Sequence, residues 1–160
     1  MSALKNENML MIPKIKLGIV IDHIPAGDGV KILEIISRYK EMDEVPITLG
    51  INYDSQKMGR KDLIKLQMEF LPPEIIQHIS IVVPGVTIKA IKEYKVYSKV
   101  VVQAPKVIKN LLRCKNPNCI TNLQRGVETL FIAVNEESSE VKCNYCERIF
   151  DRSELEPLIK

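Results

Sequence analysis

Four cysteines constrain this chain more than any other feature. Cys114 and Cys119 enclose four residues, Cys143 and Cys146 enclose two, and 23 residues, about one hairpin of chain, separate the pairs. Short-spaced pairs let two thiolates approach one ion from a single tight turn, and two such turns complete a closed tetrahedron around one structural zinc ion. Asn116, Pro117 and Asn118 fill the first knuckle, and Asn144 and Tyr145 the second. Asparagine tolerates the left-handed or tight backbone that a knuckle needs. Four thiolates leave no open coordination position, which argues against a catalytic metal, and Arg113, Lys115, Lys142 and Arg148 are close enough in sequence to offset the site's negative charge. The alternatives are four buried free thiols or a redox pair at Cys143 and Cys146.

The compartment supports the metal reading. The start, MSALKNENMLMIPK, lacks the apolar stretch of a signal peptide, and no apolar run approaches the roughly 20 residues needed to span a bilayer. A cytoplasmic chain with no membrane partner is expected, and in that reducing environment cysteine spacing points to metal or redox chemistry rather than to disulfides. A formal charge of +3 is mild, and 5% aromatic residues with no Trp leave few platforms for stacking bases. Nucleic acid is therefore not an expected partner.

Ahead of the cysteines, apolar residues at Ile15, Leu17, Ile19 and Ile21 alternate as in a half-buried strand from Ile15 to Asp22. After the breakers IPAGDG, Asp28 is placed as the N-cap of a helix running to Lys40. Val45–Tyr53 and Lys61–Phe70 read as a hairpin, Pro72 and Pro73 as the first turn of a helix carrying Ile75, Ile76 and Ile79, and VTIKAIKEYKVYSKVVV as further strand. The order βαββαβ is the ferredoxin-like split motif, a sheet with two helices on one face. The fold class expected is α+β: a ferredoxin-like unit over residues 1–105, then a small all-β zinc-binding unit over 106–160. In the latter, Val127–Val134 and EVKC flank the polar turn NEESSE. About 55 residues bury too little apolar surface to be stable alone, so this unit depends on its metal. Exposed edges on a strongly apolar sheet predict self-association through the first unit.

GIVIDHIPAGDG, MGRKDLIK, and the cysteine segments CKNPNC and CNYC occur here in the order and approximate spacing of the regulatory chains of aspartate carbamoyltransferase, and the chain resembles that family over nearly its entire length. The resemblance implies no catalytic residue and no enzymatic activity of the chain itself. It implies an N-terminal domain that binds CTP, with ATP competing, and a zinc domain that docks onto a catalytic chain. Asp22 and Lys65 would then address ribose and base, Lys99 and His23 the triphosphate, and the backbone around Ile15 and Tyr94 the exocyclic groups of the base. Val20, Leu63, Ile91 and Val96 would wall the pocket, with Lys61 and Lys89 beside it. Asn116, Asn118 and Glu147 would lie at or near the catalytic chain. The chain departs from the family pattern at Lys89, where Asn is usual, and at Ile19, where Thr is usual.

These roles make chemical sense, since a carboxylate accepts from ribose hydroxyls and flexible ammonium groups meet phosphate charge. The function expected is a non-catalytic allosteric regulator in pyrimidine biosynthesis. The rivals are a zinc-ribbon nucleic-acid-binding protein and a zinc-supported enzyme. Sparse aromatics oppose the first, and a closed metal site with no recognisable nucleophile–base pair opposes the second.

Overall fold

Alternation along the first predicted strand sorts its residues onto the two faces of a sheet. In the computed structural model, which describes residues 10–159, β1 (Leu17–Pro25) turns Ile19 and Ile21 into the core and Val20 and Asp22 toward the opposite face. It is followed by α1 (Gly29–Ile36), β2 (Ile47–Ser55), β3 (Gly59–Leu66), α2 (Pro73–Val82), β4 (Thr87–Lys92) and β5 (Lys95–Val101). The sheet order is β2-β3-β1-β4-β5, antiparallel throughout. Its first four strands have the order of the split βαβ motif, and both helices pack on one face. Ile32, Ile35, Ile75 and Ile79 meet Ile19, Ile21, Ile64 and Leu66 there. Each such side chain contributes about 1.5–3 kcal/mol by leaving water.

Several boundaries differ from expectation, each for a local reason. The last β-prone run is two strands, because Glu93 and Tyr94 both take positive φ (50° and 62°) and reverse the chain in the two-residue turn favoured by strand twist. The first helix stops at Ile36 rather than Lys40, with a separate 3-10 turn over Lys40–Met42. Asp28 does not cap it through its side chain, which pairs instead with Lys31 at 2.8 Å. Strand β3 ends at Leu66, the last residue paired with both neighbours (Ile19 of β1 and Ile47 of β2), so Phe70 lies outside the strand and exposed.

The cysteine-bearing part forms a second antiparallel sheet, β6 (Val107–Lys109), β7 (Leu130–Ala133), β8 (Glu140–Cys143) and β9 (Ile149–Asp151), in that order, with a short helix α3 (Ile120–Leu123) after the first knuckle. The expected β7–β8 pairing is present, whereas β6, β9 and α3 are too short to show a period in sequence. Ile108, Leu112, Phe131 and Val141 pack here with the cysteines and with Ile81 of α2, so α2 is shared by both cores. No helix among the described residues is long and apolar enough to cross a membrane.

Candidate functional site

The sheet face away from the helices carries a pocket of about 370 Å³. Its floor follows from register. Val20 on β1 lies directly opposite Lys65 on β3 and Lys89 on β4, so residues of the same parity on three strands share this face. Ten of the twelve pocket candidates line it: Ile15, Val20, Asp22, Lys61, Leu63, Lys65, Lys89, Ile91, Tyr94 and Val96. Lys14 joins them from the segment before β1; no pattern in its own residues signalled it. His23 and Lys99 are not in the lining. Lys99 stands beside it on β5, directly opposite Lys89.

Asp22 is the electrostatic centre of this pocket. Its Oδ1 accepts from the Lys61 ammonium and from the His23 amide, each at 2.7 Å, and its Oδ2 accepts from Lys89 at 2.8 Å. Burial alone would raise the Asp22 pKa, but the hydrogen bonds from Lys61, Lys89 and the His23 amide outweigh it, and the carboxyl stays far below its usual range. Burial lowers the Lys65 pKa, and its ammonium donates to the Pro13 carbonyl. One carboxylate among Lys14, Lys61, Lys65 and Lys89 leaves the pocket positive. An apolar floor beneath clustered ammonium groups suits an anion with a flat, apolar body.

A β-bulge aims these groups. Pairing of β1 with β3 shifts register between Ile21 and Ile24, and His23 takes φ 57° within the shift. Burial lowers the His23 pKa, and its Nδ1 is buried without a hydrogen-bond partner. A second register shift on β2 leaves Asn52 at φ 59°. Asp62, which sequence reading passed over, ties the irregular part of β2 to the turn that leads from β1 into α1. Fully buried, it accepts from the Asn52 amide at 3.0 Å through Oδ1, and from Gly27 at 3.0 Å and Gly29 at 2.9 Å through Oδ2. Gly29 has to be glycine, since a Cβ there would lie 2.9 Å from the Asp62 side chain.

The four cysteines converge as their spacing predicts. All four Sγ atoms lie within 4.8 Å of one another, with Cys114–Cys146 at 3.7 Å and Cys119–Cys143 at 3.8 Å. These separations are far beyond a disulfide bond and match the edge, about 3.8 Å, of a tetrahedron with Zn–S near 2.3 Å. Burial pushes the Cys114 and Cys143 thiols up, whereas at Cys146 burial is outweighed by hydrogen bonds that bring the thiol down to about 7; four thiolates packed this closely require a cation between them. Supporting contacts surround the sulfurs. The Thr121 hydroxyl donates to Cys119 Sγ at 3.2 Å, and Asn122 Nδ2 donates at 2.8 Å to the carbonyls of both Cys114 and Asn116, tying the first knuckle together. The site fits one zinc ion, held closed and structural.

The three residues assigned to a partner surface differ in exposure. Asn118 and Glu147 are exposed. Asn116 is buried, and its Oδ1 accepts from the Asn118 amide, which shapes the knuckle. Two of the basic residues expected to offset thiolate charge pair with carboxylates instead, Lys115 with Glu154 at 3.3 Å and Lys142 with Glu147 at 3.7 Å.

Comparison with known proteins decides the family. Residues 10–103 match the model described as "Aspartate carbamoyltransferase regulatory chain, allosteric domain", and residues 106–156 match that of the same chain's metal binding domain. The chain belongs to the aspartate carbamoyltransferase regulatory chain family. Among its relatives, the regulatory chain of Pyrococcus abyssi is 43% identical over 91% of this chain and 95% of its own. That of Sulfolobus acidocaldarius is 38% identical over 94% and 91%, and that of Methanothermobacter thermautotrophicus 37% over 92% and 93%. The lysine-rich pocket falls in the stretch matched by the allosteric-domain model, and the four-cysteine centre in the stretch matched by the metal-binding one. This is a family of regulatory rather than catalytic chains, in keeping with the non-enzymatic reading.

Proposed function

We propose that this chain binds CTP and ATP in the Asp22 pocket and, in the cytoplasm, controls catalytic chains of aspartate carbamoyltransferase allosterically. The observation that carries this reading is the pairing of Asp22 with Lys61 and Lys89 above an apolar floor. A base rests on Val20, Leu63 and Ile91, the backbone near Ile15 and Tyr94 reads its edge, Asp22 meets the ribose, and Lys99 meets phosphate. Residues 1–105 would then be the effector-binding domain and residues 106–160 the part that docks on a catalytic chain. Asn118 and Glu147 would contribute to that contact directly, and Asn116 through the knuckle it shapes.

Self-association would run through the first domain, whose sheet has free edges at β2 and β5. β5 is exposed along its length and carries Val96, Tyr97, Val100 and Val101. Regulation requires unequal effector affinity in two quaternary states, and couplings of this kind are typically about 1–3 kcal/mol. A bound effector that favours neither state changes nothing.

Calorimetric titration of the zinc-loaded chain with CTP and ATP, beside an Asp22→Ala, Lys99→Ala variant and a short DNA duplex, tests the reading. Saturable nucleotide binding that disappears in the variant supports it. A wild-type chain that ignores both nucleotides but binds DNA with a steep salt dependence returns the zinc unit to the nucleic-acid alternative.

A further inference from the structure

Lys89 stands between two groups that a nucleotide must reach, and the protein has already filled most of one of them. A carboxylate offers about four acceptor directions. Asp22 has three engaged: Oδ1 by Lys61 and the His23 amide, and Oδ2 by Lys89. One direction remains, on Oδ2, whereas the two adjacent hydroxyls of a ribose present two donors. Lys61 approaches from β3 on one side of Asp22, and Lys89 from β4 on the other.

The two lysines differ in what lies beyond them. Lys89 is the direct cross-strand partner of Lys99 on β5. Side chains so paired start only about 5 Å apart at Cβ. A polyphosphate held by Lys99 therefore comes within reach of the Lys89 stem, and it carries several negative charges against the single charge of Asp22. A flexible ammonium between the two moves toward the larger charge.

We propose that Lys89 exchanges ion-pair partners on effector binding, leaving Asp22 Oδ2 for the phosphates and so opening the second acceptor that the ribose takes. Recognition of the sugar is thereby conditional on the phosphates, and the pocket selects nucleoside polyphosphates over nucleosides by more than charge attraction. This rests on the nucleotide reading of the same pocket.

The test uses the full, zinc-loaded chain carrying Lys89→Met or Lys89→Gln, titrated calorimetrically with CTP and by NMR with cytidine at millimolar concentration. Zinc content and circular dichroism report that each variant is folded. Exchange predicts opposite signs for Lys89→Met: CTP weakens by about tenfold, the scale of one charge-assisted hydrogen bond, while cytidine tightens because Oδ2 is unblocked. Lys89→Gln keeps a neutral donor able to sit on Oδ2, so it weakens CTP without improving cytidine. Cytidine that binds Lys89→Met no better than wild type overturns the exchange, as does an equal loss for both ligands. A wild-type chain that fails to bind CTP at all removes the nucleotide reading, and the exchange with it.

Discussion

His78 Nε2 lies 2.7 Å from the carbonyl oxygen of Leu111, a hydrogen bond that joins α2 of the first sheet unit to the loop leading into the cysteine centre. A carbonyl carries no proton, so Nε2–H donates. The neutral ring then presents Nδ1 as an acceptor, which the Tyr39 hydroxyl fills. The resulting chain runs in one direction across the junction, from buried Tyr39 through buried His78 to half-buried Leu111, beside Ile81, which packs into the second core.

Removing this relay should loosen the junction. His78→Phe breaks both hydrogen bonds and strands the buried Tyr39 hydroxyl, at a cost of about 1–3 kcal/mol, while the Leu111 carbonyl keeps the Leu158 amide at 2.9 Å. Tyr39→Phe strands only Nδ1 and should cost less. Urea unfolding followed by circular dichroism measures both. A His78→Phe variant as stable as wild type would show that the relay contributes nothing to the fold.

Acid should weaken the same junction. Burial lowers the His78 pKa; the hydrogen bond to the Leu111 carbonyl and Glu74 oppose this without cancelling it, and Arg38 adds to it. The unfolded chain therefore takes up a proton at a pH where the folded chain does not. Stability from His78 is fully present above the ordinary histidine value of about 6.5 and is lost as pH falls below it. His23 shifts in the same direction. His78→Phe should therefore show a shallower loss of stability between about pH 7 and 5.5 than wild type, compared at equal zinc content. Parallel curves for the two proteins would sink the assignment. Asp22 acts in a lower window: its depressed pKa supplies stability above the ordinary carboxylate value, lost only below about pH 4.

Asp62 should be among the least replaceable residues of the first unit. Asp62→Ala strips the amides of Gly27, Gly29 and Asn52 of their acceptor at once. A loss of about 1–3 kcal/mol is expected, chiefly from the buried Gly29 amide, since Gly27 and Asn52 are exposed and their amides can turn to water. Gly29→Ala should also destabilise, through its close approach to the same side chain. Thermal melts of the two variants check this, and because both act at one contact, their effects should not add.

Chelation of the metal should unfold the cysteine-bearing part. Its small core of Ile108, Leu112, Phe131 and Val141 is arranged around the four thiolates, and structural zinc supplies about 10–16 kcal/mol in small zinc peptides. Asn122→Ala leaves every sulfur in place but releases the carbonyls of Cys114 and Asn116. Metal affinity should fall about 10–100-fold, read by competition with a chromophoric chelator. Unchanged affinity would mean that the knuckle holds its shape without Asn122.

Local pattern made part of this legible from residues alone. Alternation at Ile19 and Ile21 located the first strand, and the two cysteine pairs located the metal centre, because each signal is written in spacings of two to five residues. The pocket was reached differently: its residues come from four strands, and the resemblance to a known family, rather than periodicity, drew them together. The division of the last β-run at Glu93–Tyr94 was not legible, since neither residue is one that usually marks a left-handed turn.

What belongs to the sequence by itself is the set of elements, their apolar faces and the ability of four thiols to hold one ion. What only tertiary structure decided is which polar groups meet. Lys89 reaches Asp22 across 67 residues because β4 lies beside β1, Asp62 finds three amides because β3 runs between the irregular part of β2 and the turn from β1 into α1, and His78 finds Leu111 because α2 serves both cores. The reason is physical. Hydrophobic pattern selects a face over a whole element, but a hydrogen bond or ion pair requires positions correct to within an ångström, and only register, bulges and the docking of distant segments set these.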